Sequence, residues 1–417
     1  MKRAGEAAPG LEDLARLADP GVIKDPYPLL ARFRDASPFA VLDGALMVFG
    51  RYEHCSAILR DPRVSSERER SALAPPQAAQ AERTRSFLSL DPPDHTRLRR
   101  LVAKAFTPRV VATLAPRIKA VTDGLLTEAA AGGELELIGQ LAYPLPVRII
   151  SELLGVPPED HARFAGWSAS LAHSVQPSFG PPDPAELVRI EQAAAEFGAY
   201  FTELIGRRRS SPGDDLLTKL IRAEDAGDRL SVDELIATCV LLLVAGHETT
   251  VGLIANAMLA LLRQPEQFAA LAADPGLAAG AVQETLRYDP PVQLTGRVAR
   301  DGLRVGPLEP PAGSVLLLLL AATGRDPAGF DDPDRFDIRR WISRPEREHL
   351  AFAAGPHFCL GAPLARLEAT IALGAIARRV AGPRLDEASL TYKPNFNLRG
   401  PERMVVGFAG LRPPGQD

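Results

Sequence analysis

A mainly α-helical fold with small β-sheets is predicted by three observations on this 417-residue chain. Ala/Leu-rich stretches with apolar residues at helical spacing fill most of the middle of the sequence. Strand-like pieces are short and lie near the start and in the last third. They do not alternate regularly with helices, as a Rossmann or barrel architecture requires.

In chain order, a strand-like piece at Ala45–Phe49 precedes a helix around Tyr52–Leu59. The turn Asp91-Pro92-Pro93-Asp94 introduces a basic helix over Thr96–Ala105. Helical patterns follow at about 109–131, 138–154, 158–172 and 184–209. Between the last two, His173–Pro184 (HSVQPSFGPPDP) is punctuated by Pro, Gly and Ser and reads as a mobile loop. The clearest helix begins at Ser231. Ser231-Val232-Asp233-Glu234 is a capping box, and apolar periodicity runs to about Arg263, where Gln264-Pro265 ends it. At the standard rise this is roughly 50 Å of helix, enough to cross the whole molecule. Another helix covers about 277–288; strand-like segments stand at 296–299, 303–305 and 314–320, and 387–410 reads as hairpins. Proline is frequent but spread out, with no repeat or low-complexity linker. The expectation is one domain over 1–417 with short flexible tails.

Composition narrows the function. With 46% hydrophobic and 24% charged residues the chain can bury a core, and a net charge of −4 argues against a general nucleic-acid binder. The start, MKRAGEAAPG, has basic residues but no apolar segment behind them, unlike a signal peptide. Apolar runs such as Val315–Ala322 are too short to span a bilayer. Cys55, Cys239 and Cys359 are an odd, scattered set, which suits a reducing compartment rather than a disulfide framework. They are too few for an ordinary iron–sulfur cluster. A soluble, cytoplasmic protein that meets neither nucleic acid nor membrane is expected.

Four groups of residues carry chemistry. Phe352-Ala353-Ala354-Gly355-Pro356-His357-Phe358-Cys359-Leu360-Gly361 is a Gly/Pro-rich loop that holds a cysteine directly before a helix. A helix start stabilises a thiolate, Phe352 and Phe358 supply an apolar wall, and Gly361 lets backbone approach a flat cofactor. On the loop alone, an inert buried cysteine, a metal site shared with His357 and a cysteine nucleophile with a histidine base remain alternatives. In the long helix, Ala245-Gly246-His247-Glu248-Thr249-Thr250 places small residues where a groove can open, beside an acid and an alcohol. His247 reads as a packing or surface histidine. Glu284 and Arg287 share a helix face at i, i+3, with Arg335 as candidate third member of a supporting ion cluster. His95 with Arg99, and Arg297, are cations suited to cofactor carboxylates.

Together these residues closely resemble the bacterial, soluble class of the cytochrome P-450 family. Phe352–Gly361 is similar to its F-x-x-G-x-H-x-C-x-G loop, Ala245–Thr250 to its oxygen-binding A-G-x-E-T segment and Glu284–Arg287 to its E-x-x-R helix. Asp91–Arg99 resembles its proximal basic helix, and Gly324–Asp337 the segment between E-x-x-R and the cysteine loop. The likeness runs in order from about residue 20 to 410. Ala353 departs from a customary glycine and Gly324 from a customary asparagine.

The resemblance implies a long central helix lying over haem b, with Cys359 as the iron ligand. It implies Thr249 and Glu248 as the alcohol and acid that serve oxygen activation. Ala245, Gly246, Phe352, Gly355 and Gly361 would border the haem, and His95, Arg99, Arg297 and His357 would hold its propionates. A pocket of Leu88, Leu241, Leu242, Ala245, Thr249, Val292, Gln293, Leu294 and Phe396, with part of His173–Pro184 as a lid, suits a medium to large apolar molecule. A polyketide, terpenoid, steroid or macrocycle fits that description. Oxygen from O2 would enter a C–H or C=C bond. Electrons would come from a ferredoxin or flavodoxin with an NAD(P)H-dependent reductase, docking on Arg97, Arg100, Lys104 and Arg366. A peroxide-driven or isomerising haem enzyme and a non-catalytic haem sensor are the alternatives.

Overall fold

The computed structural model describes residues 9–74, 86–129, 133–172, 184–225, 227–306, 308–342 and 347–415. The expected tails at 1–8 and 416–417 lie outside these. So does the expected loop and lid, except for Pro184, which begins a helix. The chain divides into two compact units. One comprises Met1–Glu82, Gln283–Cys359 and Tyr392–Arg399, the other Arg83–Val282, Leu360–Thr391 and Gly400–Asp417.

The first unit is built on a five-stranded sheet with the order Phe39–Val41, Leu46–Phe49, Val315–Leu318, Thr295–Ala299, Val64–Ser65. Leu46–Phe49 and Val315–Leu318 run parallel, with Val48 opposite Leu317; the other neighbours are antiparallel. Successive side chains of a strand point to opposite faces. Leu46, Val48, Leu317 and Leu319 therefore join one core with Phe33 and Phe39. Met47, Phe49, Leu316 and Leu318 join another with Tyr52, Cys55 and Ile58. Burial on both faces explains why these strands read as continuous apolar runs. The helix Tyr52–Arg60 buries Tyr52, Cys55, Ile58 and Leu59, at helical spacing. The helix Tyr27–Ala36, not anticipated, buries Leu29, Leu30 and Phe33; Pro28 in its first turn is a helix starter rather than a loop residue. The expected strand at 303–305 is a single bridge between Val305 and Leu308.

The second unit centres on the helix Val232–Arg263. Its capping box is reciprocal: Glu234 N–H donates to Ser231 Oγ at 3.2 Å and Ser231 N–H to Glu234 Oε2 at 2.8 Å. Pro144–Leu153, His161–Ala172, Pro184–Ser210 and Ala362–Arg379 pack against it, which is why it is apolar on nearly every side. By length and composition alone this helix could cross a membrane, contrary to the reading of the apolar runs, but most of its apolar stretch is buried inside the protein. The pattern at 138–154 divides at Pro144, which has no N–H to donate. Ile138–Ala142 widens into a π turn closed by Tyr143 N–H to Ile138 O at 2.8 Å, and the α-helix restarts as Pro144–Leu153. Pro265 both ends the long helix and opens the next, Pro265–Ala273.

Candidate functional site

The cysteine loop is folded tightly by its own backbone. Ala353 N–H donates to Leu350 O at 2.8 Å, Phe358 N–H to Gly355 O at 3.0 Å and Cys359 N–H to Phe352 O at 2.9 Å. Gly355 has φ +68°, and a Cβ there would stand 2.3 Å from Leu59 O, so no other residue fits. The rings of Phe352 and Phe358 meet edge to face with centroids 6.4 Å apart. Cys359 is partly exposed, whereas Cys55 and Cys239 are buried and burial pushes both of their thiols up. Cys359 stands three residues before Ala362–Arg379, with Gly361 as that helix's N-cap.

The donor set fits a prosthetic group that brings most of its own ligands. Among the described residues no three His, Cys, Asp or Glu side chains come together to hold a metal. That removes the shared His357 metal site, since two residues cannot complete a tetrahedral shell. One accessible sulfur beside aromatic walls suits iron already held in a macrocycle.

Glu284 and Arg287, on the helix Ala278–Tyr288, are completely buried. Arg287 Nη2 and Nε donate to the two carboxylate oxygens at 2.7 and 2.9 Å. Its remaining donors reach Gly324 O at 2.6 Å, Pro333 O at 2.7 Å and Arg335 O at 2.8 Å. The expected third guanidinium is corrected. Arg335 contributes its carbonyl, while its side chain is 64% exposed and lies near Asp337. Arg340 Nε, at 3.1 Å, and Trp341 Nε1, at 3.0 Å, complete the shell of Glu284 with Asp337 N–H at 2.9 Å. Nothing local in the sequence distinguishes Arg340 from Arg335; the turns at 331–342 bring it in. From Trp341, ring contacts run edge-on to His349 at 5.6 Å and on, tilted, to Phe352 at 5.9 Å, tying the ion cluster to the cysteine loop. His349 Nδ1 accepts from Ala351 N–H at 3.3 Å, so Nε2 carries the proton and donates to Gln283 Oε1 at 2.9 Å.

In the second unit, the long helix has a window. Leu241–Val244 are buried and so are Thr250–Ala260, but Ala245 is exposed and Gly246, Glu248 and Thr249 are partly so. A Cβ at Gly246 would meet nothing within 4 Å. Thr249 Oγ1 donates to Ala245 O at 2.9 Å, which leaves its lone pairs to accept. His247, expected as a packing or surface histidine, is completely buried within this segment, its Nε2 3.4 Å from Glu248 Oε1.

His95 and Arg99 lie one turn apart on Asp94–Ala105, His95 buried against the Phe87 ring. Arg297 and His357 belong to the first unit. Arg297 Nη1 donates to Thr295 Oγ1 at 3.1 Å and Gly296 O at 2.7 Å. Arg97 is paired with Asp228 and Glu234, so its charge is neutralised, against the expectation of a docking cation. Of the proposed pocket residues, Leu241 and Leu242 are buried one turn before the window, and Leu88 is 46% exposed. Val292 is partly buried and bridged to Leu398. Leu294 and Phe396 fill the core around Phe33, and the buried Gln293 amide donates to Pro290 O at 2.6 Å.

A family model described as Cytochrome P450 matches residues 277–380. The chain is 42% identical over 421 residues to the cytochrome P450 monooxygenase PikC of Streptomyces venezuelae, covering 98% of this chain and 97% of that protein. It is 36% identical over 403 residues to 6-deoxyerythronolide B hydroxylase of Saccharopolyspora erythraea, covering 93% and 96%. The ligand-free crystal structure of CYP164A2 from Mycobacterium smegmatis matches with a TM-score of 0.87 at 48% identity, over 95% of this chain and 99% of that one.

Proposed function

The chain belongs to the cytochrome P450 family and is a haem-iron monooxygenase served by O2, a small-molecule substrate and redox partners, and on that premise we propose that it inserts one oxygen atom into a C–H or C=C bond of a medium-to-large apolar molecule in secondary metabolism. The observation that carries the site assignment is Cys359: one partly exposed thiol in an aromatic-walled loop directly before a helix.

We assign Cys359 as the sulfur ligand of haem b, bordered by Ala245, Gly246, Phe352, Gly355 and Gly361. His95, Arg99, Arg297 and His357 would hold its carboxylates. When bound, the haem supplies the iron at which dioxygen is activated. Ala245 and Gly246 keep the helix face open. Thr249 anchors its hydroxyl proton on Ala245 O and accepts with its lone pairs, and Glu248 holds the proton to be passed along that face. Leu88, Leu241, Leu242, Val292, Leu294 and Phe396 would present apolar surface to substrate, with Gln293 beside them. Electrons would arrive from a ferredoxin or flavodoxin with its NAD(P)H-dependent reductase. Arg100, Lys104 and Arg366 would belong to the docking face, and reversing their charge should slow reduction most at low salt. A cytoplasmic location and a single catalytic domain belong to the same reading.

Carbon monoxide on the reduced protein should give the far-red-shifted Soret band of an anionic sulfur donor. Cys359→Ser should lose that band while its far-ultraviolet circular dichroism stays unchanged. A native spectrum lacking the band overturns the proposal.

A further inference from the structure

The sheet of the first unit ends at Val64–Ser65, where Ser65 pairs with Val298. The chain then folds into the turn Arg68–Arg70, which packs against the strand Thr295–Ala299. Two backbone bonds hold it there: Ala72 N–H donates to Gly313 O and Gly313 N–H to Ala299 O, both at 2.9 Å. The guanidinium groups on either side of Arg68 in sequence have local acceptors. Arg63 donates to both oxygens of Asp61 and to Gly302 O, and Arg70 Nε donates to Glu67 Oε2 at 2.6 Å.

Arg68 is different. It is exposed, yet burial pushes its guanidinium down, and among the described residues no carboxylate acts against that shift. Both observations hold for a side chain that lines a recess, where a small molecule can touch it but bulk water does not surround it. The charge stays on it, as on any arginine. The strand against which this turn packs has room. Gly296 lies on an inner strand, opposite Leu317, and is nevertheless exposed; a Cβ there would meet nothing within 4 Å. Glycine inside a strand weakens it and often marks the place where a ligand comes close.

A partly desolvated, uncompensated cation is costly, and a ligand that brings the anion offsets that cost. The planar fork of donors suits a carboxylate, which accepts two N–H groups at once. Haem carboxylates are one source. Four cations, His95, Arg99, Arg297 and His357, are already assigned to them, which leaves the substrate as the other. We propose that Arg68 is a specificity-determining residue that binds a carboxylate of the substrate beside Gly296, so that the enzyme selects apolar carboxylic acids over neutral molecules of the same shape. The inference deepens the proposed function and rests on its reading of the substrate as largely apolar.

The test is calorimetric titration of the ferric holoenzyme with straight-chain acids from octanoic to hexadecanoic, each against the primary alcohol of the same length. At neutral pH at least one acid should bind about ten- to a hundredfold more tightly than its alcohol, the range for a charged hydrogen-bonded pair. Arg68→Gln should lose that preference and leave alcohol binding unchanged. Arg68→Lys should keep part of it, since a point charge replaces the fork. Equal affinity for acid and alcohol, a preference that survives Arg68→Gln, or binding by no member of the series overturns the proposal. Loss of haem from Arg68→Gln on gel filtration would assign the carboxylate to the cofactor and overturn it too.

A second measurement needs no ligand. Removing an uncompensated, partly buried charge should raise the urea midpoint of Arg68→Gln above that of the native protein. A lower midpoint means that Arg68 supports the fold, and the substrate role fails. None of these readouts needs oxygen or electrons. A native protein that has the carbon monoxide band but shows no preference for acids refutes this inference alone and leaves the proposed reaction standing.

Discussion

Ala353 sits at φ +57°, in the left-handed region where a Cβ crowds the following carbonyl. Family resemblance places a glycine there, and the structure shows why. Ala353→Gly should raise stability by about 1 kcal/mol, the strain relieved less the entropy glycine adds to the unfolded chain. A urea midpoint that fails to rise would count against this account. Gly324 is the reverse case. A Cβ there would lie 1.8 Å from Arg287 O, and Gly324 O accepts from Arg287 Nη1. Restoring the customary asparagine should therefore cost more than about 3 kcal/mol, because it displaces the partner of a buried ion pair. Equal midpoints for native and Gly324→Asn would exclude such crowding. Glu368, within Ala362–Arg379, is buried, and burial pushes its carboxyl up to about 8 from an ordinary 4.5. The unfolded chain gives up this proton near the ordinary value while the folded chain keeps it. Stability is thus fully present below about 4.5 and falls by about 1.4 kcal/mol per pH unit until the folded value is passed. Glu368→Gln should abolish that slope, so its advantage in urea midpoint should widen between about pH 5 and 8. A constant difference would place the carboxyl in a polar setting instead.

At the scale of elements, the long helix joins two demands that its sequence also joins. Buried neighbours require apolar residues on nearly every face, while Ala245 and Gly246 keep one short stretch small and open. Gly246 costs the helix about 1 kcal/mol relative to alanine. With nothing within 4 Å of its Cβ position, Gly246→Ala should raise the thermal midpoint by a few degrees. The same methyl enters the open face, so product formed per NAD(P)H should fall. A gain in both quantities would show that the opening has no use. The legibility of elements followed their range of interaction. The capping box, the periodicity to Arg263 and the helix at 277–288 are local signals, and the structure has them within a residue or two. Pro28, Pro144 and Pro265 were harder to read, because proline marks a helix start as well as a stop and only the packed neighbours show which.

For the whole molecule, each compact unit is assembled from segments far apart in the chain. The five-stranded sheet needs Leu46–Phe49 beside Val315–Leu318 before its two cores can close. Such long-range pairing favours all-or-none formation. The chain has two tryptophans, Trp341 in the first unit and Trp167 in the second. Urea unfolding of Trp167→Phe and Trp341→Phe, each reporting one unit by fluorescence, should give coincident midpoints once each variant is corrected for its own stability by circular dichroism. Separated transitions would mean two independently folding units rather than one domain.

What the amino-acid sequence determined unaided is what a short stretch of chain can encode. It specified the predominance of helix and the extent and cap of the long helix, and it offered Cys359, Glu248 and Thr249 as the candidates on which the proposed site is built. Tertiary structure alone decided which guanidinium reaches Glu284, that Arg97 is neutralised by Asp228 and Glu234, and that His247 is sealed beside Glu248. It also made Glu368 a neutral acid and Ala353 a strained residue. The reason is physical: burial, and the partner a charge finds within 3 or 4 Å, depend on chain segments tens to hundreds of residues away, which no local pattern encodes.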